Sequence, residues 1–284
     1  MSGVYEDTKF IMKKYGITAN KKLGQNFLID DKVIDTIVEA SEITKEDIVI
    51  EIGPGLGTLT QKLLKMAGKV VAIELDDRMI HILKERFFLE KHFEILNDDV
   101  LKVDLKELIV KKKVETGLKK VKIVANLPYY ITTPIIMKLL EEKLEIESMT
   151  VMIQKEVADR LTEIPGGKKS GAITYTVYYY AIAKEIQTVP NHSFLPEPEV
   201  ASEVIKLDLR KEPAIKLKDE KKFFHFIKIA FMQRRKTLLN AISNSNLDIS
   251  KEKMEKVLEE LGIDSKIRGE ALTIEQFASI VEKI

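Results

Sequence analysis

The chain has 284 residues, 45% of them hydrophobic, which suffices for a sizeable core and for one large domain beside a smaller one. Its 46 basic and 45 acidic residues nearly cancel, so a net charge of +1 neither marks nor excludes a nucleic-acid partner. The absence of cysteine excludes disulfides, thiolate nucleophiles and cysteine-held metal or iron–sulfur sites. His81, His92, His192 and His225 lack ligand spacing, so no metal is expected. No apolar leader opens the chain and no run approaches the ~18 residues of a membrane span, so a cytoplasmic protein without membrane contact is expected.

Residues 1–19 carry little pattern and read as a mobile arm. Asn20 to Asp30, N-K-K-L-G-Q-N-F-L-I-D, precedes a helix expected from about Asp31, with Val33, Ile34, Ile37 and Val38 on its apolar face and Asp30 or Asp31 as cap. A segment in this place can fold over a cofactor, with Gln25, Asn26 and the backbone of Leu28 suited to an amino-acid moiety. A plain lead-in anchored by Phe27 and Leu28 fits the same residues equally well.

The next stretch, Asp47 to Thr60, organises the chain. The apolar run Ile48, Val49, Ile50 and Ile52 reads as a buried strand meeting a glycine turn, Gly53, Gly55 and Gly57, that opens a helix at about Thr58. Glycines let backbone press against a ligand, and the helix start offers unpaired N–H groups. A second strand, Lys69 to Leu75, ends in Glu74 and Asp76, where a carboxylate can accept both ribose hydroxyls of an adenosine-containing cofactor. A nicotinamide dinucleotide is the rival ligand. The third glycine falls at G-x-G-x-G rather than G-x-G-x-x-G spacing and no cationic clamp for a pyrophosphate is evident, which favours S-adenosylmethionine.

A helix near Asp77 to Phe88 and a strand near Phe93 to Leu96 follow, and the strand runs into Asp98 and Asp99. Either carboxylate is placed to accept from a cofactor's adenine amine, and either is also ordinary turn chemistry. A lysine-rich hairpin or loop then leads to the strand Val121 to Ala125. Alternation of this kind argues a parallel sheet with helices on both faces.

That strand delivers Asn126-Leu127-Pro128-Tyr129. Adenine N6 is a poor nucleophile because its lone pair is delocalised into the ring. Two acceptors, the Asn126 side-chain carbonyl and the Leu127 main-chain carbonyl, can draw it toward tetrahedral geometry. Pro128 stiffens the turn and Tyr129 offers a stacking face, a combination suited to an extruded base.

Ile135 to Leu144 reads as helix, Met149 to Ile153 as strand, and Q-K-E-V-A-D-R-L as a short helix carrying Lys155. The loop Pro165 to Gly171 presents Lys168 and Lys169, which suit phosphates or a solvated turn equally. Ala172 to Ala181 has strand-like residues with partial alternation, so strand and helix both stay open. Phe194 to Val204 is a proline-stiffened loop feeding a strand to Leu209. Phe194 either closes a base sandwich with Tyr129 or pins the loop to the core.

After Arg210 the pattern is helical only: Glu220 to Met232, Thr237 to Ser243, Ser250 to Leu261 and Ile274 to Lys283. Between Lys206 and Lys236 eleven basic residues face four acidic ones, and Arg234, Arg235 and Lys236 cluster beside an aromatic helix, a candidate RNA-backbone footprint.

The ordered set of motifs resembles the small-subunit ribosomal RNA adenine N6,N6-dimethyltransferases (KsgA type) over about Lys21 to Asn240. The matching pieces are G-Q-N-F-L at Gly24, E-I-G-P-G-L-G-T-L-T at Glu51, Glu74, D-x-L at Asp99, N-L-P-Y at Asn126, Q-K-E-V-A at Gln154, F-x-P-x-P-x-V-x-S at Phe194 and F-x-Q-R-R-K at Phe231. The family often has Gly-Asp where this chain has Asp98-Asp99, and Asp99 aligns with its functional carboxylate.

The resemblance implies cofactor contacts from Asn26, Leu28, Gly53, Glu74, Asp99 and Asn126, with Gln25 and Gly55 beside them. It favours helix at Ala172. It also implies a class I (Rossmann-like) α/β methyltransferase domain over 1–205 and a small all-helical RNA-binding domain over 206–284. The expected activity is dimethylation of two adjacent adenosines in the 3′-terminal hairpin loop of small-subunit rRNA, by a monomer acting within a pre-ribosomal particle. A non-catalytic ribosome-assembly factor on the same fold and a large-subunit rRNA methyltransferase are the alternatives.

Overall fold

The computed structural model describes residues 3–20, 23–233 and 235–284. Arg234 of the basic cluster, and Lys21 at the start of the motif set, lie outside the described residues. The chain forms two compact units, residues 1–158 with 183–209 and residues 159–182 with 210–284.

The first unit begins with α1 (Val4–Lys14), β1 (Phe27–Leu28), α2 (Asp31–Ser41), β2 (Asp47–Ile52), α3 (Thr58–Met66), β3 (Lys69–Glu74), α4 (Asp77–Arg86) and β4 (Phe93–Asn97). It continues through α5 (Leu105–Thr116), β5 (Lys120–Asn126), α6 (Thr132–Glu141) and β6 (Ser148–Gln154), with α7 (Lys155–Thr162) running on from it. After α8 (Ala172–Tyr180) the chain returns to the sheet with β7 (Ala181–Val189), β8 (Phe194–Leu195) and β9 (Ser202–Leu209).

Seven strands form one sheet in the order β4-β3-β2-β5-β6-β9-β7. The pairs β4/β3, β3/β2, β2/β5 and β5/β6 are parallel, and β9 runs antiparallel to β6. Every residue of β2 is buried, which is why it reads as a nearly continuous apolar run. The connections diverge between β2 and β5. At that switch point the carboxyl ends of the strands open a crevice, the usual ligand position of such sheets.

Three local expectations are corrected. The opening residues are not a mobile arm. Val4, Thr8 and Ile11, at helical spacing, bury one face of α1, and Asp7 pairs with Arg86 at 2.8 Å. The lysine-rich stretch before β5 is a helix, not a hairpin or loop. Asp104 caps α5 by accepting from the Glu107 N–H at 2.9 Å, and Gly117 closes it with φ 73°. Its periodicity was hidden because buried Lys112 takes a core-side position, paired at 2.7 Å with both Glu94 and Glu115, while Val110 and Val114 face solvent. Finally, no strand was expected over residues 182–189, where β7 forms the sheet's edge with a mostly exposed pattern.

The second unit packs α8 with α9 (Glu220–Met232), α10 (Leu238–Ser243), α11 (Lys251–Glu260) and α12 (Ile274–Lys283). Tyr175 and Tyr179, one helical turn apart on α8, are fully buried among Phe223, Phe226 and Phe277. The Tyr175 hydroxyl donates to the Leu272 carbonyl at 2.6 Å. A boundary at 205/206 therefore does not describe this unit, because residues 159–182 supply part of its core. A single cut after 205 would leave that segment behind. Among the described residues no helix is long and apolar enough to cross a membrane, and no group of three His, Cys, Asp or Glu side chains could hold a metal ion.

Candidate active site

The crevice at the strand ends, about 1110 Å³ counted out to open solvent, brings together Gln25, Asn26, Leu28, Gly53, Gly55, Glu74, Asp98, Asp99, Asn126, Leu127, Pro128, Tyr129 and Phe194. All belong to the first unit.

The glycine turn links β2 to α3. Gly53, Gly55 and Gly57 have φ of 66°, 57° and 82°, in the region that favours glycine. A side chain at Gly57 would also strike Leu83 and Phe87, both 2.7 Å from an ideal Cβ, so the turn is packed down on α4. At Gly53 a Cβ would meet no atom within 4 Å and would project into open space. This is a cradle in which backbone, not side chain, faces the crevice.

Glu74 ties the turn to β3. Its Oε2 accepts from the Gly55 N–H at 3.1 Å, and its Oε1 from those of Leu75 and Asp76, both at 2.9 Å. Burial holds the carboxyl above the usual carboxylate range, against these three donors, which favour the anion. Oε2, which receives only one of the three donors, keeps lone-pair capacity for a hydroxyl.

Gln25 is less free than its sequence position suggested. Its amide donates to Asp76 at 2.9 Å and accepts from the Asn20 N–H at 2.9 Å, so it fastens the segment before β1 over the crevice. Asp76 caps α4 and pairs with Arg78 at 2.6 Å, and chiefly that guanidinium lowers its pKa. Asp98 is exposed, its Oδ1 accepting from the Asp99 N–H at 2.7 Å. Asp99 is half-buried, its Oδ1 accepting from the Leu101 N–H at 3.0 Å.

Asn126 ends β5 opposite Met152, and the Leu127 N–H continues the ladder to the Met152 carbonyl at 3.1 Å. The Asn126 Nδ2 donates to the Asn26 main-chain carbonyl at 3.2 Å. Its Oδ1 is thereby left to accept. Tyr129 is half-buried with its hydroxyl 2.5 Å from the Ser202 hydroxyl, and burial raises its pKa. Phe194 is 1% exposed yet lines the crevice, because β8 pairs with β1 and sets Phe194 opposite Leu28.

Two contributors went unread in the sequence. Arg86 reaches from α4 to the Leu56 carbonyl in the glycine turn while pairing with Asp7 of α1. Glu51 lines the crevice from within β2, buried, with the Thr60 hydroxyl donating to its Oε2 at 2.6 Å. The signal for Glu51 was a carboxylate interrupting the apolar run Ile48 to Ile52.

Burial pushes the Glu51 carboxyl up to about 8, so the native state keeps a proton that the unfolded chain loses near 4.5. Where the native state binds more protons, stability falls as pH rises. The contribution of Glu51 is thus fully present below about 4.5 and lost as pH climbs to about 8. Glu51→Gln, neutral throughout, is expected to flatten that fall and to exceed the parent at pH 8 by up to roughly 4 kcal/mol. Denaturant unfolding across a pH series checks this. Parallel curves for the two proteins would show Glu51 ionised in the native state.

Of the cations, Lys155 in the first unit pairs with Glu203 at 2.9 Å and Lys169 in the second with Asp159 at 2.7 Å, whereas Lys168, Arg235 and Lys236 are exposed.

The family model for ribosomal RNA adenine dimethylase matches residues 16–284. The chain belongs to that family. It is therefore an S-adenosylmethionine-dependent rRNA adenine dimethyltransferase, as the ordered motifs suggested. Among curated relatives of the family it is 48% identical over 278 residues, covering 98% of each chain, to ribosomal RNA small subunit methyltransferase A of Clostridium botulinum (strain Langeland). It is 46% identical over 277 residues to the protein of that name from Alkaliphilus oremlandii, covering 98% of this chain and 96% of that one. Among solved structures, a dimethyladenosine transferase from Plasmodium falciparum aligns with TM-score 0.73 and 26% identity over 89% of this chain and 95% of the other. The 23S rRNA methyltransferase ErmE, at TM-score 0.67 and 24% identity over 91% and 99%, shares the fold. The expected α/β methyltransferase architecture with a helical C-terminal part is borne out.

Proposed function

We propose that the enzyme methylates N6 of two adjacent adenosines, twice each, in the 3′-terminal hairpin loop of small-subunit rRNA. It acts in the cytoplasm, as a monomer, on a pre-ribosomal small subunit. The observation that carries the chemistry is the Asn126 amide, whose nitrogen is occupied by the Asn26 carbonyl. Names of relatives supply the small subunit.

S-adenosylmethionine, when bound, supplies an electrophilic methyl group on a sulfonium. The crevice fits such a group: an open glycine cradle, Glu74 for the ribose, Asp99 for the adenine amine, and the Asn26 and Leu28 backbone beside the amino-acid end. The chain's own part is to hold the target amine. Asn126 Oδ1 and the Leu127 carbonyl accept its two hydrogens, concentrating the lone pair on nitrogen along the line of attack. Tyr129, steadied by Ser202, and Phe194 bracket the extruded base, and Pro128 fixes the turn between them. In the transfer the methyl group would pass to the nitrogen while the sulfur it leaves keeps the bonding electrons, and the nitrogen would then give its proton to water. No strong base is required, since the methylated amine loses a proton readily. Lys155, Lys168, Lys169, Arg234, Arg235 and Lys236 hold phosphates.

Small-subunit particles incubated with enzyme and S-adenosylmethionine should yield two neighbouring N6,N6-dimethyladenosines by mass spectrometry of the digested rRNA. Their absence, or modification of large-subunit rRNA instead, would refute the reading. Alanine at Arg234, Arg235 and Lys236 together should weaken RNA binding and flatten the log–log salt dependence by up to about 2, at ~0.7 per lost contact. Turnover at saturating RNA should survive. A triple variant with unchanged affinity and slope would remove the helical unit from RNA binding.

A further inference from the structure

Tyr130 directly follows the tetrapeptide, and no role in the core accounts for it. The residue is 55% exposed while Leu127, three residues earlier, is fully buried. Both tyrosines sit on one 3-10 turn, Tyr129–Ile131, where successive side chains diverge by roughly 120°. Tyr129 turns inward to Ser202, and Tyr130 lines the rim of the same crevice without a hydrogen bond to any described residue.

The ring is nevertheless backed. Gly24 has φ 61°, and a Cβ built there would lie 3.2 Å from Tyr130 Cδ1, 3.4 Å from Cε1 and 3.6 Å from the Pro128 Cβ. A Cβ at residue 24 would therefore crowd the ring by a few tenths of an ångström, and glycine lets the backbone sit close beside it. The result is an aromatic ring at the mouth of the crevice, backed by residue 24 and still more than half exposed.

An extruded base leaves its neighbour with one stacking face uncovered, and unstacking costs a few kcal/mol. An aromatic side chain at the rim can restore that face, and stacking of this kind tolerates any base. We infer that Tyr130 is the stacking platform for the nucleobase adjoining the adenosine being methylated. This rests on the proposed reading of two adjacent adenosines: while one occupies the pocket, the other lies on Tyr130, and the roles exchange for the second modification. Tyr130 is a binding residue for the strand beside the target, distinct from the groups that touch the reacting amine.

The test is a cycle between enzyme and RNA, using the full chain and small-subunit particles rebuilt with a synthetic 3′-terminal segment. One segment carries both adenosines, and a second carries an abasic nucleotide at one of them. On the intact segment Tyr130→Ala should raise the half-saturating particle concentration in single-turnover methylation by about 5- to 100-fold, the range expected of one stacked base. The rate at saturation and the cofactor affinity should stay close to the parent's, and Tyr130→Phe should behave like the parent. On the abasic segment the parent should already be weakened, and Tyr130→Ala should add nothing. An equal penalty on both segments, no penalty on either, or a loss confined to the saturated rate would overturn the inference. A parent enzyme that methylates neither adenosine of the intact segment would overturn the underlying reading itself.

Discussion

Asn126→Ala is expected to lower turnover on the order of 10- to 1000-fold, with RNA affinity nearly unchanged. The lost acceptor is needed most as the amine becomes tetrahedral, so its removal falls on the transition state and not on the bound ground state. The geometry adds a second expectation. Because the Asn126 Nδ2 holds the Asn26 carbonyl, the variant also loosens the segment before β1, and cofactor affinity should fall by a few-fold, about the worth of one hydrogen bond. Single-turnover methylation, with separate titrations of RNA and cofactor, divides these effects. Intact turnover with impaired binding would make Asn126 a structural tie only.

Glu74→Gln should weaken cofactor binding roughly 100-fold, the sum of a lost ribose partner and a disturbed glycine turn. The carboxylate receives three backbone N–H groups on two oxygens. A glutamine has one acceptor oxygen, so its NH₂ must point at the Gly55 N–H or at the Leu75 and Asp76 pair, donor against donor. Calorimetric titration with S-adenosylhomocysteine, which binds without reacting, reads this directly. A dissociation constant within about threefold of the parent's would mean that Glu74 does not hold the ribose.

What was legible in the sequence follows from how each segment is buried. β2, β3, β5 and β6 lie deep in the sheet and are covered on both faces, so they appear as apolar runs, and the glycine turn and the N-L-P-Y tetrapeptide follow two of them as punctuation. The helix α1 was hidden because it buries only Val4, Thr8 and Ile11, and α5 because an ion-paired lysine occupies a position where apolar periodicity expects an aliphatic residue. The partial alternation over Ala172 to Ala181 leaves strand and helix open and says nothing of what α8 packs against, so its place in the helical unit could not be read. The engagement of Gln25 and the protonation of Glu51 depend on atoms brought from elsewhere in the chain, which no local pattern encodes.

The pairing of β1 with β8 bears on how the molecule is made. Phe27 meets Leu195, so the flap over the crevice can be fastened only after residues near 195 have left the ribosome. β9, which pairs along the whole of β6, emerges later still. Until then β6 is an unprotected sheet edge with nearly every side chain apolar or destined for burial, the kind of edge that recruits other strands. Long-range closures of this sort are slow, since the loop entropy is lost before the contacts form. A nascent chain halted before residue 209 has the glycine turn and the tetrapeptide but lacks the complete strand that protects β6, and its exposed edge makes it a substrate for chaperones before it can be an enzyme.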